Sequence, residues 1–332
     1  MIRSIAAPEN MDNTDSELVI RRNLQRETLT QVMQDETPVW VDMTDTEEDE
    51  LVWLQQTLDL HPLIMEDLRR VDTRPTMLAY TDTIFLSLFQ PKRNAEGITA
   101  TEIHCIIGET AFITVRHGDT SAIDEAYDRA AKNPNYWERD MAYFLYLATQ
   151  AVVDAYYPIV DRISNILSEI EEELLRGTLR DDPRRKVYKL TQQLISLRRM
   201  VAPQREVLSK VIGEERLTRT DNNRDLFRHL YERLMRIYDI IDSQRDIASN
   251  VLDLIESHEN QRLGRAVNRL TIFSMIFFPL TFITGLFELN FISTTAPFEL
   301  PVTGTFLFVS ILVSMVVIVT LMVWYFRRQG WL

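Results

Sequence analysis

The chain has 332 residues, a formal net charge of -13 and a single cysteine. That length allows a soluble domain of ordinary size plus a membrane segment, and the acidic balance is opposite to the basic footprint of a nucleic-acid binder. The lone Cys105 excludes an intrachain disulfide and fits a reducing compartment.

Residues 1–34 read as a polar, acidic, loosely ordered segment, and Met1 to Asn10 lacks the apolar run of a cleavable signal peptide. From Thr37 the pattern changes. Pro38 to Asp42 predicts a strand. Asp45 to Leu58 has helical spacing, with acids in the first turn where the helix dipole favours them. His61-Pro62 opens a short helix that runs to about Arg69. Thr83 to Phe89, Glu102 to Ile107 and Ala111 to Val115 are rich in strand formers, and Asn94 to Gly97 predicts a turn between two of them. Residues 35–140 therefore form an α/β domain.

Beyond Tyr136 the pattern is helical. One helix is expected from Met141 to Leu175 and a second from Pro183 to Ile212, with Gly177 and Asp181-Asp182-Pro183 marking the turn between them. Residues 141–220 then make a cytoplasmic helical hairpin. A third helix starts near Asp221 and meets no strong breaker before Phe287, apart from Gly264 and Pro279. At 1.5 Å per residue it would be roughly 100 Å long, so it needs partner helices, most simply copies of itself. No phosphate-binding Gly-rich loop, dinucleotide fingerprint or metal-hydrolase histidine pair occurs, so nothing marks the chain as an enzyme.

The C-terminal part holds two charge-free apolar runs, Leu270 to Phe287 and Val302 to Phe326. Both are long enough to cross a hydrocarbon core of ~30 Å. Arg262, Arg265 and Arg269 precede the first and Arg327 and Arg328 follow the second, while residues 288–301 between them carry Glu288 and Glu299 and nothing basic. The long stalk helix 221–287 continues into the first span at about 270–287, and positive-inside bias puts the body, the stalk before that span and the tail 327–332 in the cytoplasm and the loop outside a cell membrane.

Alternating steps of three and four from Asp253 trace one face of the long helix: Asp253, Asn260, Gly264, Val267, Leu270 or Thr271, Ser274, Phe278, Thr281 and Gly285. Polar and small residues in a span face either a helix-packing interface or a water-filled path. With an oligomer axis along this face, each residue becomes a ring: carboxylates at Asp253, hydroxyls at Thr281, apolar constrictions at Leu270 and Phe278.

Leu270-Thr271 followed by Phe278-Pro279-Leu280-Thr281-Phe282-Ile283-Thr284-Gly285 and Asn290-Phe291 resembles the CorA family of divalent cation transporters. That family carries Leu-Thr, then Pro-Leu-Thr-Phe-Ile-x-Gly, then Gly-Met-Asn-Phe. Leu60-His61-Pro62-Leu63, Glu66-Asp67-Leu68, Arg74-Pro75 and the terminal Arg327-Arg328 with Trp331-Leu332 agree with it. The resemblance implies an α+β cytoplasmic domain with an α/β/α sandwich-like build, long helices, a two-helix membrane hairpin and a homopentameric funnel. It implies partners in the chain itself, membrane lipid and divalent cations, with no nucleic acid and no cofactor beyond the ions. The Asn of the Gly-Met-Asn motif sits at the outer mouth and touches a hydrated ion, which suits Mg2+ because that ion gives up water reluctantly.

Two positions depart from the family. Its Gly-Met-Asn reads Glu288-Leu289-Asn290 here, which keeps Asn290 and adds a carboxylate at the membrane edge. On the long helix, Phe227-Arg228-His229-Leu230-Tyr231-Glu232 matches a segment whose Asp contributes to a regulatory Mg2+ site, and that Asp is His229. His229 with Glu232 is either a metal pair, suited to Zn2+, Co2+ or Ni2+, or an ordinary helix surface. Gly264 stands where Asn is common and Phe278 where Met is common. Elsewhere, His61 reads as a helix-start residue, His104 and Cys105 point to opposite faces of one strand, and Glu169, Glu171, Glu172 and Glu173 read as a solvated helix face.

Three readings follow. The first is a pentameric channel for hydrated Mg2+, passing Co2+ and Ni2+ as well. The second is a Zn2+-selective transporter, with or without coupling to protons. The third is a non-conducting membrane scaffold or metal sensor.

Overall fold

The computed structural model describes residues 1–8, 20–70, 74–95, 97–118, 120–177, 182–288 and 304–329. It divides into two units, Met1–Leu252 and Asp253–Leu332.

The first unit is built on a seven-stranded sheet. Its strands are β1 (Ile2–Ala6), β2 (Arg21–Arg22), β3 (Val39–Thr44), β4 (Met77–Ala79), β5 (Ile84–Arg93), β6 (Ile98–Ile107) and β7 (Ala111–Arg116), in the order β2-β1-β3-β7-β6-β5-β4. All neighbours are antiparallel except β3 and β7, which run parallel from Val39↔Ala111 to Thr44↔Arg116. Helices α1 (Arg26–Gln34), α2 (Glu48–Leu58) and α3 (Pro62–Arg69) cover one face. Leu29, Leu54, Ile64 and Leu68 from them pack with Val41, Met43, Phe85, Ile113 and Val115 from the strands. On the opposite face Trp40 meets Phe112, Tyr127 of α4 (Ser121–Lys132) and Phe144 of α5 (Met141–Asp154) at ring separations of 5.0, 5.4 and 6.0 Å. This is the three-layer α/β/α sandwich. Strands covered on both faces explain the near-continuous apolar runs of β5, β6 and β7.

Local chemistry sets the helix starts. In α2, Glu47 and Glu50 form a capping box, and Glu48, Asp49 and Glu50 fill the first turn. In α3, Pro62 takes a first-turn position and the His61 Nδ1 accepts the Leu63 N–H at 3.2 Å, so His61 is a helix cap.

Two expectations are corrected. Residues 2–6 are not loose: β1 pairs with β3 from Ile2↔Met43 to Ala6↔Val39, and Ile5 and Ala6 are fully buried. An ion network holds them. Arg3 Nε donates to buried Asp42 Oδ2 at 2.7 Å, and Arg116 Nη2 donates to the same oxygen at 3.0 Å. Both guanidiniums also reach Asp124 Oδ1, at 2.6 and 2.8 Å, so two cations balance two anions in the layer between sheet and α4. The helix expected from Met141 to Leu175 is two, α5 and α6 (Tyr157–Arg176), separated at Ala155 and Tyr156. Pro158 in the first turn of α6 has no N–H to continue the α5 ladder.

Helix α7 (Pro183–Gly213) is anchored to the sheet through Gln204. Its Nε2 donates to the Tyr156 hydroxyl at 2.6 Å, that hydroxyl donates to the Phe89 carbonyl at 2.8 Å, and the Phe89 N–H donates to Gln204 Oε1 at 3.1 Å. Helix α8 (Asp221–Glu288) begins in this unit, where it buries Phe227, Leu230, Leu234, Ile237, Ile241, Ala248 and Val251 at steps of mostly three and four. Asn223 Nδ2 donates to the Asp140 carboxylate at 2.7 and 2.9 Å, and Arg233 pairs with Asp154.

The second unit holds the remainder of α8 and α9 (Gly304–Arg328). Both have apolar windows long enough to cross a membrane.

Candidate ion-conduction pathway

From Asp253 onward α8 stays helical through Pro279. Pro279 has no N–H, so the Met275 carbonyl lacks its usual i+4 partner. Helical periodicity places the traced residues in one stripe: Asp253, Asn260, Val267, Ser274 and Thr281 on one seven-residue repeat, Gly264, Thr271, Phe278 and Gly285 on another. Apart from half-buried Thr271, every one of these side chains is exposed in the single chain. Leu270 is 66% and Phe278 77% exposed, and Phe273, Phe277 and Phe282 on other faces of the span are exposed as well, so this chain alone covers none of these apolar side chains.

The stripe is uncharged from Asn260 to Gly285. A Cβ built at Gly264 or Gly285 meets nothing within 4 Å, so neither glycine is there to let another part of the chain approach. The Thr281 hydroxyl donates to the Phe277 carbonyl at 2.9 Å, and the Thr271 hydroxyl to the Val267 carbonyl at 2.9 Å. Their protons are used within the helix, and the oxygen lone pairs remain as acceptors. A hydrated cation presents water hydrogens, so a wall of acceptor oxygens with small gaps between them suits it.

Glu288 is the last residue of α8, and Leu289 and Asn290 lie outside the described residues. His229 and Glu232 are both exposed, three residues apart on α8. Among the described residues no group of three His, Cys, Asp or Glu is placed to hold a metal ion, so a single chain does not complete a site there.

Two buried groups stand apart from the stripe. His104 is fully buried and stacks on Phe85 at 5.5 Å, and neither ring nitrogen has a hydrogen-bond partner. Burial, with nearby His117 adding to it, pushes its pKa down to about 4. Burial also pushes the Cys105 thiol well above its ordinary range, which makes it unreactive. These residues belong to the core. Sequence reasoning missed the network of Arg3, Asp42, Arg116 and Asp124, whose members are scattered along the chain; buried charge in strands was the only signal. That network holds the sheet and lies in the first unit, apart from the stripe.

The chain matches the family profile described as CorA-like Mg2+ transporter protein over residues 35–328. It is 27% identical over 300 residues to the cobalt/magnesium transport protein CorA of Thermotoga maritima, covering 89% of this chain and 84% of that one. It is 26% identical over 308 residues to the zinc transport protein ZntB of Pectobacterium atrosepticum, covering 91% and 90%. In fold it matches the complete structure of the CorA magnesium transporter from Methanocaldococcus jannaschii with a TM-score of 0.78, at 20% identity, over 100% of this chain and 99% of that one.

Proposed function

This chain belongs to the CorA-like Mg2+ transporter family, and we propose that its stripe from Asp253 to Gly285 lines a central pore made by five copies. It is a divalent metal cation transporter of the cell membrane rather than an enzyme, with two spans and its large N-terminal domain in the cytoplasm. The ion we assign is hydrated Mg2+, with Co2+ and Ni2+ passing by the same route.

The observation that carries this reading is the exposed stripe of hydroxyl, amide and glycine positions running beside Phe278 and Leu270 on a helix otherwise apolar in its span. Five copies around one axis would cover the exposed apolar positions and stack the acceptor oxygens into rings. The division we propose is a body in residues 1–252, a pore helix with its span at about 270–287, an outer loop at 288–301 and a second span at about 302–326. At the outer mouth Asn290 offers its side-chain oxygen to the hydrated ion, and Glu288 with Leu289 shapes the approach. A ring of Asp253 carboxylates at the inner end concentrates cations.

Uptake into proteoliposomes tests this directly. Asn290→Ala is expected to abolish Mg2+ flux, and undiminished flux would remove Asn290 from the mouth. Glu288→Gly is expected to change the order of preference among Mg2+, Co2+, Ni2+ and Zn2+. A silent wild type revived by that change would instead favour a scaffold or metal sensor with a blocked pore.

A second reading is Zn2+ transport coupled to protons. It is supported by the similarity to a zinc transport protein over 91% of the chain and by His229 beside Glu232. Zn2+ flux that follows an imposed pH gradient would establish it, and indifference to that gradient would remove the coupling.

A further inference from the structure

The residues that α8 buries in the first unit begin with Asn223 and then follow at steps of four, three, four, three and four: Phe227, Leu230, Leu234, Ile237 and Ile241. Among the described residues Asn223, at 5% exposure, is the only buried polar residue of this helix. The other buried positions of the seam as far as Ile255 are Phe, Leu, Ile, Ala and Val. An apolar seam of similar side chains fits its groove nearly as well after a slip of one step, three or four residues. A single short polar residue in such a seam fixes the register, at a cost in stability.

Asn223 is held from two sides. Its N–H donates to Thr220 Oγ1 at 3.2 Å, and its Nδ2 donates to the two Asp140 carboxylate oxygens at 2.7 and 2.9 Å. Asp140 is the N-cap residue of α5, and its side chain takes no part in that cap. The pair therefore joins the starts of two helices, and one turn further on Phe227 meets Tyr146 of α5 at a ring separation of 6.3 Å. Other polar links of α8 in this unit include Arg233 with Asp154 and Asp242 with Arg198. Those four side chains all keep contact with solvent, and a long guanidinium stem can follow a slipped helix. A short, buried amide cannot.

We propose that Asn223 is a positioning residue for transport: its bond to Asp140 sets the register of α8 on the body and so decides which side chains of that helix face the pore. The inference rests on the pore reading above. Helix α8 is continuous from Asp221 to Glu288, so a slip at its root reaches the stripe. A slip of three residues turns the helix by about 60° and moves it by about 4.5 Å, and a slip of four turns it by about 40° the other way and moves it by about 6 Å. The first turn carries Phe277 from the flank of the stripe to its centre, and the second carries Met275 toward it.

The test is a scan of single cysteines from Phe273 to Phe278 in the full chain in membranes, with modification by a water-soluble thiol reagent read as added mass and not as flux. Wild type is expected to give a wave that peaks at Ser274 and Phe278 and has its minimum at Ile276. Asn223→Leu completes the apolar seam and should leave the unfolding midpoint of the body at or above that of wild type. It should raise modification at Phe277 or Met275 relative to Ser274 by roughly tenfold, the weight of one hydrogen bond to a charged group. Asp140→Ala should displace the wave in the same way with α8 unaltered, and it serves if Asn223→Leu does not assemble. Exchanging the pair, Asp140→Asn with Asn223→Asp, should bring the wave back. An unmoved wave in both single variants, with or without a lowered midpoint, or a displaced wave that the exchange does not restore, would overturn the proposal. A wild-type wave that peaks on another face refutes the pore assignment, whereas its displacement by Asn223→Leu would still support the register.

Discussion

Between Phe227 and Val251, α8 turns its apolar seam onto its own domain, and Phe227, Leu230 and Ile241 are fully buried. Between Asp253 and Gly285 the same helix presents Asn260, Ser274, Phe278 and Thr281 outward with nothing from this chain covering them. Both stretches keep a spacing of three and four. Continuing the buried seam by sevens from Ala248 leads through Ile255 to Arg262 and Arg269, and from Val251 to Arg265 and Ile272. The seam and the stripe are therefore different faces of one helix. The first is satisfied within a single chain, and the second meets nothing of that chain. In the proposed pore, other copies would cover the second face, so one helix would serve a folded domain at one end and an assembly at the other.

The largest expected effect sharpens the buried side of that contrast. Phe227→Ala should cost about 3–5 kcal/mol of stability, the range for emptying a fully buried aromatic site, and denaturant unfolding of the intact protein would measure it. Next comes acid sensitivity of the same domain. His104 is held near 4 in the folded protein against an ordinary 6.5, so the unfolded chain binds the proton more tightly. Its contribution to stability is complete above about pH 6.5 and is lost as pH falls toward 4, up to ~3 kcal/mol. His104→Leu should flatten that part of the pH profile, and an unchanged profile would move the effect to other groups. The smallest effect belongs to the exposed side. Phe278→Ala should leave the unfolding midpoint of the body unmoved and raise Mg2+ flux severalfold by widening an apolar constriction. A large loss of body stability from this change would mean that Phe278 packs against its own chain.

Much of this was legible in the sequence because periodicity survives without knowledge of partners. The strand from Val39, the capped start at His61-Pro62 and the stripe from Asp253 all declare themselves within a few residues. What failed was long-range. Ile2 to Ala6 has too little alternation to read as a strand, and its order comes from pairing with β3 and from Arg3 reaching Asp42. The break between α5 and α6 was hidden because Pro158 is equally at home in a first turn and as a kink in a continuous helix. In the candidate pathway the spacing located the stripe residues, and the structure added their exposure and the inward hydrogen bonds of Thr271 and Thr281. Asn290 and Leu289 rest on the motif alone.

The most direct test of the central claim is cysteine accessibility along α8 during transport. The native Cys105 is buried and unreactive, so it does not interfere. Single cysteines at Ser274, Thr281, Ile276 and Ile283 would be treated with a water-soluble thiol reagent while Mg2+ flux is recorded. The pore assignment predicts block at Ser274 and Thr281 and continued flux at Ile276 and Ile283. Block at the isoleucine positions with flux preserved at Ser274 and Thr281 would contradict it and place the aqueous path on another face of the helix.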